Sequence, residues 1–404
     1  MKVLVIDTNL ALEHARRIGK DTTCYYAIIC GNPYPTLEET IGGHGFEEII
    51  KVDDWGDVIS EVDVVVFADV GFGGMADFLR KEGKFVFGAD KKSENLELDR
   101  VYMRRTFEKL GIPIAKGKVV KGIDNVCRYI EQAKKKCWVK VNKVRGSCES
   151  FGTDDPEEAR FLLHQGGFQV ICDEATFIVE KELEGIEIGI DCFFNGKDYG
   201  DLVMETIELK NSGNITRYRV YEDSLWYDIL EKLKPYLQKN GYRGMICFEG
   251  FYNGDKIRII DVSCRFGYIC SYAYPKDIKN FTETICNTAM GLDVRPKVNT
   301  LYSCQVGVYT DNIQRWRRIH FPKEYEPKLA FRRVIRKGDD IWFVPGDYVV
   351  AVGIGNGATF EQAIDEAKKI ADSVETIECY SQGAVLKEKF KEKIEKLKDL
   401  GYEF

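Results

Sequence analysis

GYRGMICFEGFYNGDKIRIIDVSCRFG, residues 241–267, is the stretch on which the reading of this chain turns. Two apolar runs flank Asn253-Gly254, a strong short-range hairpin signal. Strand alternation sends Phe248, Gly250 and Tyr252 to one side and Glu249 and Phe251 to the other. Across the turn Glu249 comes near Asp261, and Ser263, two residues on, shares the face of Asp261. Two carboxylates buried together repel unless a cation lies between them. Hard divalent ions such as Mg²⁺ take such oxygen ligands and complete their shell from water and phosphate. The alternative is a pair of unrelated acids on a solvent-facing hairpin.

Outward from this hairpin, the 404 residues exceed one ordinary core, so several packed domains are expected. A composition of 44% hydrophobic and 30% charged residues is that of a soluble globular protein. No apolar run approaches the roughly 18 residues of a membrane span, and MKVLVID reads as a first buried strand rather than a signal peptide. The net charge of −7 argues against a nucleic-acid surface, which needs basic stripes. Thirteen cysteines are scattered without a CxxC pair, and the four histidines lie far apart. Disulfide frameworks and zinc sites need paired spacing, so the cysteines read as free, mostly buried thiols in a reducing cytoplasm.

Short all-apolar strands at Lys2–Ile6, Tyr25–Ile29, Val62–Ala68 and Lys84–Ala89 alternate with helical segments. That pattern predicts a doubly wound α/β domain with a parallel sheet over residues 1–97. A connecting helix over 98–112 stops at Gly111 before Pro113. Residues 113–183 read as a small mixed subdomain. Residues 184–295 carry longer strands with hairpin signals at Asn195–Gly196 and Asn253–Gly254, an α+β pattern. Residues 296–404 read as a small C-terminal α/β domain, ending in a helix with Leu386, Phe390, Ile394 and Leu397 along one stripe.

Glu249, then Asp261-Val-Ser263-Cys-Arg265 across a hairpin, resembles the metal-binding hairpin of ATP-grasp enzymes, in which Glu-x-Asn usually stands where Asp-Val-Ser stands here. Three further segments are similar to that family in the same order. VEKELEGIEIGID (179–191) is similar to its adenine and ribose segment; the resemblance places Glu180 against the adenine amino group, the backbone of Lys181 to Leu183 along the ring edge, and Glu187 on the ribose hydroxyls. WVKVNKVRGSCESFG (138–152) puts Lys140 on an apolar strand, where a lysine is costly without an anion. The family uses such a lysine on the phosphates and closes a Gly/Ser-rich loop over them, here with Gly146, Ser147 and Ser150. DRVYMRRTFEKLGIP (99–113) carries Arg100 and Arg104 at the positions of the family's lysines, which makes Arg104 a second phosphate cation.

The resemblance extends over nearly the whole chain and is nearest to phosphoribosylamine–glycine ligases. It implies an ATP-grasp fold binding ATP and Mg²⁺, with Mn²⁺ as a substitute. Glu249, Asp261 and Ser263 would hold the metal. Lys140 and Arg265 would act in catalysis, Arg265 by neutralising an acyl phosphate. The departures bear on substrate. The family's glycine-rich loop before REHA serves the phosphoribosyl end of its substrate; here it reads IDTNLALEHA, without a glycine to bring amides against a phosphate. Its GPE becomes Ala68-Asp69-Val70, and its RFGDPE becomes Arg265-Phe266-Gly267-Tyr268-Ile269-Cys270. The expected activity is therefore an ATP-dependent carboxylate–amine ligase acting on a small amino acid such as glycine and a non-standard amine acceptor, such as a modified nucleotide or a polyamine. The alternatives are an authentic phosphoribosylamine–glycine ligase and a catalytically weak nucleotide-binding protein. A monomer or homodimer is expected.

Overall fold

Val3, Leu4, Val5 and Ile6 are all fully buried, as a strand covered on both faces requires. They belong to the central strand of a five-stranded, all-parallel sheet in a computed structural model that describes residues 1–30, 36–143, 150–165, 175–210, 212–381 and 383–404. Its spatial order is Ile50–Val52, Thr23–Ile28, Lys2–Asp7, Val64–Phe67, Phe85–Phe87. Four of these strands are legible as apolar runs. The fifth, Ile50–Val52, is a three-residue edge strand, too short to show a period.

The helix Arg100–Leu110 leads out of this sheet. The Asp99 carboxylate caps its start by accepting from the Tyr102 amide at 3.0 Å, and Gly111 ends it at φ +66°, a left-handed conformation that glycine adopts without a Cβ penalty. A four-stranded antiparallel sheet follows, ordered Gly117–Lys121, Thr176–Lys181, Cys137–Val141, Ser150–Thr153. Val139, Val141, Phe177 and Val179 pack on one of its faces against the helices Ile123–Ala133 and Pro156–Gln165. Alternation then turns Trp138, Lys140, Ile178 and Glu180 to the opposite face.

The largest sheet has nine strands. Ile257–Ser263, Gly244–Tyr252, Ile186–Phe194, Leu202–Leu209 and Gly213–Val220 run antiparallel in that order. The sheet continues without a break into Tyr302–Thr310 and Val349–Gly357, so strands from beyond residue 296 extend it. The turn at Asn253 is wider than a two-residue Asn-Gly hairpin, because the Asn253 carboxamide oxygen accepts from the amides of both Asp255 and Lys256. Likewise Asn195 Oδ1 accepts from Lys197 and Asp198, and seven residues separate the strands ending at Phe194 and starting at Leu202. A three-stranded sheet of Arg317–Ile319, Asp340–Phe343 and Val334–Lys337 lies apart. Leu386, Phe390, Ile394 and Leu397 are buried along the last helix. Among the described residues nine cysteines, Cys192, Cys247, Cys264 and Cys270 included, are buried free thiols. Among the described residues no helix is long and apolar enough to cross a membrane.

One face of the nine-stranded sheet carries Glu249 and the other packs into the core. Phe248, 2% exposed, points away from Glu249 and packs on Trp226 and Phe107, with ring centroids 6.3 and 6.2 Å away. Phe248→Ala removes that anchor and leaves a cavity. It is expected to cost about 3–5 kcal/mol of unfolding free energy, measured by urea titration.

Candidate functional site

Directly opposed residues in an antiparallel sheet present their side chains to the same face. The register therefore gathers a group that is dispersed in the sequence. Glu249 faces Asp261 across one strand boundary and Gly189 across the other. Gly189 in turn faces Thr206, Asp191 faces Cys247, Cys247 faces Ser263, and Glu208 faces Asn214. Glu187 and Asp191 flank Gly189 on the same strand and face. A Cβ on Gly189 would come within 2.5 Å of Thr206 Oγ1, so no side chain intrudes between the carboxylates. The result is an acidic sheet face bordering a cavity of about 230 Å³, whose walls include Glu187, Asp191, Glu208, Glu249, Asp261 and Arg265.

A second cavity of about 170 Å³ adjoins it and shares Glu187, Glu249 and Asp261. Its far wall is the polar face of the four-stranded sheet: Trp138, Lys140, Ser150 and Glu180, continued by Lys181, Glu182 and Leu183. Lys140 ties the two walls together. Its Nζ donates to the Ile260 carbonyl at 2.6 Å and lies 3.2 Å from Glu180 Oε2. The site residues taken from the sequence thus lie around one two-chambered cleft, apart from three. Gly146 and Ser147 fall outside the described residues. Arg104 does not line the cleft: Nη1 donates to Glu180 Oε1 at 2.5 Å, and both Nη atoms donate to the Ala115 carbonyl. Arg100, one helical turn earlier, lines the second cavity and donates Nη1 to the Val141 carbonyl.

Electrostatics single out Glu249. Burial pushes its carboxyl up to about 8; Glu208, Asp261 and Glu187 push the same way, against the pull of Lys210. Burial also raises Glu208 and Asp191 above the ordinary carboxylate range. Asp191 is held by the Tyr274 hydroxyl, which donates to Oδ2 at 2.6 Å, and by the Cys270 thiol at 3.2 Å. Glu187 lies 3.5 Å from Lys210. At the rim, Arg265 Nε donates to Glu97 Oε1 at 2.9 Å and sits 3.3 Å from Asp69 Oδ1, bracing the hairpin against the parallel-sheet domain. Sequence reading missed Asp191 and Glu208. Asp191 had a signal, an acid inside the otherwise apolar run IGIDCFF. Glu208 had none, because its place depends on strand pairing.

The loop after the first strand has its own anion. Asp7, fully buried, accepts from the amides of Thr8 and Leu10 through Oδ1, at 2.7 and 2.8 Å. Its Oδ2 accepts from the Ala11 amide at 2.9 Å and the Tyr26 hydroxyl at 2.6 Å. Burial raises this carboxyl while those four donors pull it down. Amides at the entry of the helix Leu12–Gly19, which elsewhere serve as an anion site, are here taken by a side chain of the chain itself.

Two walls from two sheets closing on a shared cleft, beside a parallel-sheet domain, make this an ATP-grasp fold. The chain is similar to the crystal structure of phosphoribosylamine–glycine ligase from Thermotoga maritima, with a TM-score of 0.71 at 17% identity over 94% of this chain and 98% of that one. It is also similar to the biotin carboxylase domain of the 2-oxoglutarate carboxylase of Hydrogenobacter thermophilus, solved with magnesium ADP and bicarbonate (0.70, 13%, covering 100% and 99%). A third likeness is to N5-carboxyaminoimidazole ribonucleotide synthetase from Thermotoga maritima (0.63, 14%, covering 93% and 98%). No family model matches the sequence. At these identities the likeness establishes the fold, a mixed α/β architecture with one parallel sheet and several antiparallel ones.

A carboxyl raised from its ordinary 4.5 to about 8 makes the folded chain lose stability as pH rises through that interval, since only the unfolded state ionises it freely. Glu249→Gln is therefore expected to melt higher than the unsubstituted, ligand-free protein at pH 8, with the gap closing toward pH 5. Scanning fluorimetry across pH checks it.

Proposed function

We propose that this chain is an ATP-dependent ligase that activates a carboxylate as an acyl phosphate and passes the acyl group to an amine, forming an amide. The observation that carries this reading is the opposition of Glu249 and Asp261 where the two cavities meet. One chamber has the walls of a nucleotide site, the other has room for the reacting groups, and the carboxylate pair stands at the junction where a γ-phosphate would lie.

The donor set suits a hard divalent ion: two carboxylates, with the Ser263 hydroxyl two residues beyond Asp261 and in the same cavity wall. When bound, Mg²⁺ would offset phosphate charge there, as Mn²⁺ could in its place. The protein's own groups do the rest. An adenine would lie against the segment Lys181–Leu183, with Trp138 on the same cavity wall, and the ribose would lie by Glu187. Lys140 and Arg100 would face the phosphates. Arg104 takes a positioning role, holding Glu180, whose other oxygen is near Lys140. A substrate carboxylate oxygen attacks the γ-phosphorus and ADP leaves. The amine lone pair then attacks the acyl carbon, the C–N bond forms, and the C–O bond to phosphate breaks. The amine nitrogen gives up one proton to become the amide. Arg265 would balance charge on the acyl phosphate. Catalysis of this kind rests on positioning and on charge stabilisation away from water.

In this reading the carboxylate donor is a small amino acid such as glycine. The filled loop at Asp7 supports an acceptor other than a phosphoribosylamine. Asp261→Ala is expected to lower ADP release in the presence of Mg-ATP, an amino acid and an amine by at least about 100-fold, the scale on which loss of one charge-stabilising group acts. A coupled ADP assay reads it, and undiminished release in that variant would remove the metal assignment.

A further inference from the structure

The cavity beyond Glu249 has more negative charge than a metal site uses. Glu249 and Asp261 suffice for one divalent ion in company with phosphate oxygens. Glu187 has Lys210 at 3.5 Å. That leaves Asp191 and Glu208 in the cavity wall; among the described residues neither has a cation in direct contact, while Lys210 and Lys393 pull on Glu208, and Arg265 on Asp191, from farther off. Asp191 is 4% exposed, and its side-chain partners, the Tyr274 hydroxyl and the Cys270 thiol, are neutral donors. Burying carboxylates without a cation in direct contact is expensive, so such a face is complementary to a cation that arrives with the ligand.

An independent feature of the same wall also asks for a donor. Asn214 is 3% exposed, lines the cavity directly opposite Glu208, and its Oδ1 has no hydrogen-bond partner among the described residues. A buried amide oxygen left bare is costly, and an incoming N–H removes that cost. Phosphate, by contrast, has no welcome on either side. The acidic face repels it, and the amides at the end of the first strand are already taken by Asp7.

We infer that the acceptor subsite of this enzyme is the wall formed by Asp191, Glu208 and Asn214, and that it takes a small, unphosphorylated amine bearing positive charge, of the alkyl diamine class. One nitrogen of such a molecule stays an ammonium, held by Glu208 and Asn214, while the other, deprotonated, reaches the acyl carbon beside Glu249. This rests on the ligase reading for the identity of the chemistry, but the subsite itself is a matter of charge and hydrogen bonding. The cavity of about 230 Å³ has the volume of roughly eight liquid waters, ample for a four-carbon diamine.

Isothermal titration of 1,4-diaminobutane and of O-phosphoethanolamine into the full chain, alone and loaded with a magnesium–non-hydrolysable ATP analogue, tests it. The diamine is expected to bind and the phosphorylated amine not to. Glu208→Gln and Asn214→Ala should each weaken the diamine at least tenfold, as should Asp191→Asn. Circular dichroism and the melting midpoint report whether each variant is folded; Glu208, the least buried of the three, keeps the test open if Asp191→Asn misfolds. Tighter binding of the phosphorylated amine, or diamine affinity unchanged in folded Glu208→Gln and Asn214→Ala, would overturn the subsite. Diamine binding that responds to the variants in a protein that binds no nucleotide analogue would uphold the subsite and overturn the ligase reading instead.

Discussion

Like charges gathered on one sheet face set the terms for the rest of this molecule. Glu187, Asp191, Glu208, Glu249 and Asp261 converge on one connected cleft. Each would be cheap on a surface; here burial and the neighbouring acids Glu208, Asp261 and Glu187 raise the proton affinity of Glu249. A fold tolerates this only if its apolar side is strong. Here the reverse face of the same strands packs Phe248 against Trp226 and Phe107. The destabilised acidic face is then available to bind cations, and binding energy of that kind appears only when the ligands are in place.

The opposite wall solves the converse problem. Lys140 and Arg104 are both nearly buried, and Glu180 receives both, one on each oxygen. Breaking a buried ion pair by removing one partner typically costs about 3–5 kcal/mol, so the three residues form a rigid unit. Because Lys140 also donates to the Ile260 carbonyl, next to Asp261, this unit registers the four-stranded sheet against the hairpin that carries Glu249 and Asp261. Arg265 does the same on the other side of the hairpin through Glu97 and Asp69. The carboxylate pair is thus braced from both flanks.

Asp7 shows how one substitution can change what a loop is for. Amides at the start of a helix favour an anion, whatever its source. When the strand ends in aspartate, the anion is built in and the loop becomes a structural cap. The two-chambered cleft is unaffected, since it lies on other sheets.

What the sequence by itself determined was local. Apolar strand runs alternating with helices specify a parallel sheet, and an acid on each arm of the 246–267 hairpin specifies a paired carboxylate, because the pleat allows only two directions for a side chain. The Lys140 and Glu180 alternations likewise assign both residues to the face away from the small domain's core. Tertiary structure alone decided which acids share a cavity. Glu208 reaches Glu249 only because Ile186–Phe194 lies between their strands and carries glycine at 189, and pairing between strands so far apart in the chain leaves no trace in either one's composition. It alone decided also that Arg104 turns to Glu180 while Arg100 lines the cleft, since two arginines four residues apart on one helix look alike until the neighbouring carboxylate is placed. Spacing encodes which face a side chain takes; which partner meets it there is settled by packing.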